Sequence, residues 1–511
     1  MIKRLDNVKL GITESEDKLL AIAKKKLGGL KQFKIIKKSL DARDKNNIFW
    51  VYSIAFSDGE PLNPPQSFER LKNPPKVAVI GSGPAGLFCA LGLLRHGIRP
   101  VIIERGEPVE KRRETITEFF ENRKLNQNSN VQFGEGGAGA FSDGKLNTQT
   151  NAGFNRDVLE LFRQFGAPEE ITYLNKPHVG SDNLYNVLRN IRKYISENGG
   201  EYKFNTRFIG FENKNGRVCA LKLKNTVTGG ESLEEVDCAV LALGHSARDT
   251  FEMLASSGVQ MMPRDFAVGV RIEHLSEKIG LSQYGKNHAL LPTADYKLVS
   301  HAGERTAFTF CTCPGGVVIP AASEEGGVVT NGMSLYARDG KNSNSALLVQ
   351  MRKEDFGENL FAGMDFQREL ERKAFIAGGK TYAAPVQLFK DFSADKISQG
   401  FGEILPTYAA GAQFAPLNEI LPEIVVKALK VAIPDMGRRL KGFDCPDGLM
   451  TGVETRFSSP VRILRGGSGE SVSFEGLYPC GEGSGYSGGI TSSAADGLET
   501  AEKIYEKYKN H

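Results

Sequence analysis

One junction restricts this chain more than any other segment: Val77-Ala78-Val79-Ile80 runs straight into Gly81-Ser82-Gly83-Pro84-Ala85-Gly86. The apolar run reads as a buried strand, and Leu87 to Leu94 after the glycines reads as a helix. A second strand, Val101-Ile102-Ile103, ends in the acid Glu104. In such a strand–turn–helix unit Gly81 permits the sharp turn and Gly83 lets the backbone approach a pyrophosphate. Gly86 lets helix and strand pack closely. The helix start, with Pro84 and Ala85, presents N–H groups and a positive dipole end to phosphate. Glu104, about 20 residues on, has the reach to accept the hydroxyls of a ribose, with Arg105 beside it. A glycine triplet alone carries little weight; strand, helix, second strand and acid together specify a dinucleotide cradle.

A chain of 511 residues exceeds one ordinary domain, and its texture divides it. Residues 1–72 read as a small α+β module with a linker: a strand at Lys9–Ile12, a helix from Ser15 to Leu27, and strands around Phe33–Ser39 and Ile48–Phe56. Asp58 to Pro75 is proline-rich and aperiodic, as an extended connection would be. Residues 73–264 form the first part of the cradle domain, with helices near Arg156–Phe165 and Leu184–Asn198 and a strand at Val236–Leu243. Residues 265–444, with β-branched runs such as Phe308-Thr309-Phe310 and Val317-Val318-Ile319, read as an inserted β-rich substrate or cap domain. Residues 445–511 return to the first domain through a strand at Phe474–Pro479 and a helix from Ile490 to Tyr508. The expected fold class is α/β, a Rossmann-like domain carrying an α+β insertion and the N-terminal module.

The opening motif resembles the FAD-binding domains of glutathione-reductase-like flavoproteins, where Pro or Ala commonly follows the second glycine. The rest resembles the largely uncharacterised bacterial FAD-dependent dehydrogenases often labelled NAD(P)/FAD-dependent oxidoreductases. That likeness rests on Phe133-Gly134-Glu135-Gly136-Gly137-Ala138-Gly139-Ala140-Phe141-Ser142-Asp143-Gly144-Lys145-Leu146, Gly244-His245-Ser246-Ala247-Arg248-Asp249, Cys311-Thr312-Cys313-Pro314-Gly315-Gly316, Thr330-Asn331-Gly332-Met333-Ser334 and Thr451-Gly452-Val453-Glu454-Thr455-Arg456. It implies FAD as cofactor and an oxidoreductase activity, and leaves the substrate unnamed. It also implies a second FAD-contact segment in Gly481-Glu482 and Gly488-Gly489-Ile490. There an acid holds the ribityl chain, with Glu482 in place of the commoner Asp, and the following helix points its positive end at the flavin pyrimidine edge.

The run Gly134 to Gly144 holds five glycines in eleven residues, so its backbone can lie flat against a ligand. Gly136, Gly137, Ala138, Ser142 and Lys145 are read as part of a cofactor-wrapping loop, and Gly244 as the glycine ending a cofactor-facing strand. Cys311 and Cys313, two apart on a strand and so on one face, are candidates for dithiol–disulfide exchange with a flavin. His245 is the candidate acid or base. His178 and His301 stand in similar contexts. Arg271, Arg438, Arg456 and Arg462 are candidates for binding an anionic substrate. No His/Cys group completes a zinc site, and no metal is expected.

No second Gly-x-Gly-x-x-Gly between strand and helix follows residue 150. This argues against a resident NAD(P) domain and leaves NAD(P)H as a transient visitor over the flavin. Met1 to Asp6 runs into charge before an apolar segment can form, and Val77–Leu94 contains four glycines and a proline. A cytoplasmic protein without membrane insertion is therefore expected. Residues 1–50 hold 13 Lys/Arg against 6 Asp/Glu, although the whole chain sums to only +4. Two alternatives stand beside an enzyme acting on a small molecule, the first raised by that local basicity. One is a flavoprotein acting on RNA through its N-terminal lysines, although nucleic-acid motifs are missing. The other is a flavin-binding redox sensor that works by binding a partner.

Overall fold

The computed structural model describes residues 2–62, 67–147 and 153–509; the Asn63-Pro64-Pro65 part of the expected linker lies outside them. The N-terminal module is a three-stranded antiparallel sheet in which Phe49–Ser57 lies between Ile2–Gly11 and Gln32–Asp41. Leu19 and Ala23 of the helix Asp17–Lys26 pack on Tyr52, Ile54 and Phe56 to make a core of its own. Lys34 and Lys38 pair with Glu160 and Glu16. Two of the lysines behind the RNA alternative are thus tied into ion pairs.

Behind it stands a five-stranded parallel sheet in the order Leu477–Pro479, Cys238–Leu241, Val77–Ile80, Val101–Ile103, Glu201–Lys203. Its three central strands are almost wholly buried, as expected for a parallel sheet covered on both faces. Two of the expected strands, Val236–Leu243 and Phe474–Pro479, prove shorter. The helix Pro84–Arg95 packs on the closing helix Ile490–Tyr508. Glycines bring these two helices together: a Cβ on Gly497 would lie 2.2 Å from the Ala85 carbonyl oxygen, and one on Gly92 2.6 Å from Ala501 Cβ.

The inserted domain is a seven-stranded, largely antiparallel sheet. Its order is Val299–Ser300, Ala307–Cys313, Asn342–Met351, Phe266–Leu275, Leu449–Glu454, Ala384–Leu388, Ala412–Phe414. Val270, Ile272, Leu347 and Val349 join Val425, Leu429 and Ile433 of the helix Glu423–Arg439 in one core. The return boundary expected at 444/445 falls short, because Leu449–Glu454 pairs inside this sheet with Phe266–Leu275 and Ala384–Leu388. The chain enters and leaves the insertion through a short antiparallel pair, Met261–Pro263 with Val461–Ile463. Among the described residues no helix is long and apolar enough to cross a membrane.

Candidate active site

The carboxyl ends of the parallel strands open into a cavity of about 800 Å³ walled on its far side by the inserted sheet. Each glycine of the first motif has a separate reason to be there. Gly81 has φ +104°, and a Cβ on it would lie 2.2 Å from the Ala242 carbonyl oxygen. A Cβ on Gly86 would lie 1.9 Å from the Gly81 oxygen. On Gly83, which borders the cavity, it would meet nothing nearer than Gly137 Cα at 3.8 Å. The protein needs Gly81 and Gly86; the room at Gly83 is left for something else. The helix that follows has no side-chain cap, so its first N–H groups remain available.

Glu104 borders the cavity, yet its carboxylate is already occupied. One oxygen accepts from Ser82 N (3.0 Å) and Ser82 Oγ (2.7 Å), the other from Gly106 N (2.9 Å) and Gly134 N (3.0 Å). Four bonds fill a carboxylate's acceptor capacity. The acid at the strand end thus ties three glycine-bearing loops together. Arg105 reaches Asp249 and Thr250 and lies over the Phe133 ring. The second glycine loop docks on the first through Gly136 N to Ser82 O, 2.8 Å.

At the other end, Glu482 faces the cavity with no side-chain hydrogen bond among the described residues. Burial pushes its carboxyl up to about 7, against the pull of Arg264. The closing helix begins uncapped at Gly489, and neither Gly488 nor Gly489 has anything within 4 Å of where a Cβ would be. Lys145 is pinned to Asp143 and the Thr312 carbonyl oxygen, and Asp143 to Arg338 and Ser334. Ala138 and Gly244 also border the cavity. Gly86, Gly136, Gly481 and Cys313 do not. Gly136 and Gly481 serve packing, where a Cβ would meet Leu188 at 2.4 Å and Ala85 at 2.6 Å.

The other candidate side chains stand in differing surroundings. His245 borders the cavity, but burial, with Arg456 and Arg248 nearby, lowers its pKa to about 3. Its imidazole is therefore neutral near pH 7, with Nδ1 3.0 Å from Ser246 Oγ. His178 and His301 instead contact the Tyr336 carbonyl oxygen and Thr306. The four arginines are already engaged: Arg271 with Glu454, Arg456 with Glu371, Arg438 with Asp435, Arg462 with the Gly485 carbonyl oxygen. Cys311 and Cys313 do not share a face through strand alternation, because Cys311 adopts φ +42° and the pairing slips between Phe310 and Cys313. Cys311 reaches the cavity while Cys313 is buried. Sequence reasoning missed Phe310 and Phe457, which meet edge-on at 4.5 Å on this wall, and Glu454. The period of Phe308-Thr309-Phe310 was the available signal for the aromatic wall.

Family comparisons divide the chain along the same lines. Residues 265–457 match the family described as FAD-dependent protein, C-terminal domain-like, and residues 75–250 match pyridine nucleotide-disulphide oxidoreductase. Residues 1–57 match a domain of unknown function. An uncharacterized protein of Clostridium beijerinckii is 45% identical over 535 aligned positions, covering 99% of both chains. This chain belongs to that protein's family. The family is FAD-dependent and oxidoreductase-like, and its cofactor is FAD. Similar solved structures include a flavin-dependent brominase (TM-score 0.40, 13% identity, 86% of this chain and 80% of that one). Another is the glycerol-3-phosphate dehydrogenase from Bacillus halodurans complexed with FAD (0.36, 10%, 86% and 66%). The residues present fit FAD: the space beside Gly83, the two uncapped helix starts and the Glu482 carboxyl, which has no side-chain hydrogen bond among the described residues, all face one cavity.

Proposed function

We propose that this chain is an FAD-dependent dehydrogenase or reductase of the glutathione-reductase-like superfamily, acting on a small molecule held between the parallel-sheet domain and the inserted sheet. The observation that carries this reading is that one cavity is bordered both by the glycine cradle at Gly81 and Gly83 and by Phe310, Cys311 and Phe457 of the insertion. Interdomain clefts of this size are where such sites form. FAD, when bound, supplies two-electron hydride chemistry.

The protein's part is to bind, orient and exclude water. Gly83 and the N–H groups opening the helix Pro84–Arg95 hold the pyrophosphate. Glu482 would accept from the ribityl chain of a bound FAD, a bond that would compensate the burial now raising its pKa to about 7. The uncapped start of the closing helix would offer its positive end to a bound flavin, where negative charge gathers on reduction. Glu104 contributes by fixing the loops; a bond to ribose would have to replace one of its four present partners. Phe310 and Phe457 give the substrate side an apolar face.

The test is anaerobic titration of purified protein with NADH or NADPH and then with candidate acceptors. Denaturation is expected to release about one FAD per chain, and the donor to bleach the flavin absorbance. Colourless protein that takes up no FAD, or bound flavin that exchanges electrons with no donor or acceptor, would overturn the proposal.

A further inference from the structure

We propose that the half of the cavity walled by the inserted sheet takes an organic carboxylate with an apolar body, the body lying on Phe308, Phe310 and Phe457 and the carboxylate on Lys297. This rests on the reading of the cavity as a flavin site and names its substrate class.

Strand alternation builds the apolar wall. The strand Val299–Ser300 runs antiparallel to Ala307–Cys313, with Val299 opposite Phe308. The two segments stay joined one residue further, where Thr309 N donates to the Leu298 carbonyl oxygen and Leu298 N to Thr309 Oγ1, both at 2.8 Å. Beyond that, Thr312 Oγ1 still reaches the Tyr296 carbonyl oxygen at 2.8 Å, so Lys297 is carried alongside Phe310. Leu298 and Thr309 are buried. By the two-residue period of a strand, Val299 and Phe308 stand on the opposite face from them, as do Lys297 and Phe310, and these four all border the cavity. Phe457 meets both rings edge-on, Phe308 at 5.6 Å and Phe310 at 4.5 Å. Three rings thus form one wall, on which Phe310 keeps 39% of its surface exposed. A large apolar side chain left open inside a cavity gains its burial from a ligand.

The charges bordering the cavity single out Lys297. Lys145 is held by Asp143, Arg105 by Asp249 and Arg456 by Glu371. Among the acids, Glu454 is held by Arg271, and Asp295 by Lys176 at 3.4 Å. Glu104 has its four donors, and Glu482 belongs to the cofactor half. Lys297 has no ion pair, hydrogen bond or ring contact among the described residues. An unmatched ammonium at the edge of an aromatic wall selects a ligand with an anion at one end and hydrocarbon behind it. One cation matches the single charge of a carboxylate; a phosphate monoester, with nearly two charges, would keep about one of them uncompensated. The same ammonium repels a cationic ligand that the ring faces would otherwise attract. The arginines expected to bind an anion are engaged elsewhere, and the task passes to a lysine that no motif marks.

The experiment uses FAD-loaded protein and three probes of one shape and different charge: cinnamate, cinnamamide and cinnamylamine. Binding is read by calorimetric titration and by the perturbation of the flavin spectrum, with flavin content and melting temperature checking that each variant folds. Native protein is expected to bind cinnamate about tenfold or more tighter than cinnamamide, and cinnamylamine most weakly. Lys297→Gln should lower cinnamate to the level of the amide and leave the amide where it was, while Lys297→Arg keeps the preference. Phe310→Ala should weaken acid and amide together. Raising the salt concentration should narrow the preference, because Lys297 is exposed. Native protein that binds acid and amide equally, or binds no cinnamate, or a preference that survives in Lys297→Gln, overturns the carboxylate pocket. Flavin released on denaturation is measured separately, so those results leave the flavin reading standing; protein that takes up no FAD overturns both.

Discussion

Gly83 and Gly86 differ by three positions and by what forbids a side chain there. At Gly86 the obstacle is the protein's own Gly81 oxygen, 1.9 Å from a Cβ, so Gly86→Ala should disrupt the strand–helix junction and yield poorly folded chain, read by thermal unfolding. At Gly83 the protein offers no obstacle, since φ is −75° and the nearest atom lies at 3.8 Å. Gly83→Ala should fold normally and lose FAD affinity by about tenfold or more, roughly 1.4 kcal/mol, measured by calorimetric titration of apoprotein. Unchanged affinity would place the pyrophosphate elsewhere. His245 gives a pH signature. Its folded pKa of about 3 lies below the ordinary 6.5, so between those values the unfolded chain binds a proton that the folded one refuses. Its stabilising contribution is full above pH 6.5 and is lost as pH falls toward 3. His245→Asn should flatten the decline of melting temperature over that window, and an unaltered slope would refute the assignment.

Among elements, the pair of helices Pro84–Arg95 and Ile490–Tyr508 links the two ends of the cofactor cavity, because the uncapped start of each borders it. Their close approach depends on Gly497, where a Cβ would sit 2.2 Å from the Ala85 oxygen. Gly497→Ala should push the helices apart, costing about 1–3 kcal/mol and loosening FAD at both ends; a variant with native melting temperature and FAD retention would argue against this coupling. The closing helix was legible in the sequence to its terminal residues, Ile490 and Tyr508, since its apolar face and glycine-rich approach are local signals. The slip at Cys311 was not. A β-bulge arises from how one strand meets its neighbour, and nothing in Phe310-Cys311-Thr312-Cys313 by itself reports that Asn344 will face Cys313.

For the whole molecule, the joint between domains is ionic. Arg248 opens a helix of the parallel-sheet domain, Glu371 lies on the cap helix Ala362–Ala377, and Arg456 follows the last cap strand. Both guanidiniums bond Glu371 and all three side chains are buried. Glu371→Gln leaves Arg248 and Arg456 to share the half-buried Glu324 and should cost about 3 kcal/mol, seen as a lower or divided unfolding transition in calorimetry. FAD bound as proposed should act in the opposite sense: a free concentration one hundred times Kd adds about 2.7 kcal/mol. Removing it should lower the melting temperature, and a melting temperature indifferent to FAD would contradict binding to the folded chain. The cradle, four of the five parallel strands and the two-part course of the cofactor domain follow from the sequence, because strand, turn and helix signals act over neighbouring residues; the three-residue edge strand Glu201–Lys203 carries too short a signal to be read this way. The partners of Glu104, the lowered pKa of His245, the pairing of Leu449–Glu454 inside the cap and the exposure of Cys311 were decided only in three dimensions. Each depends on burial, charge or register contributed by residues far away in the chain.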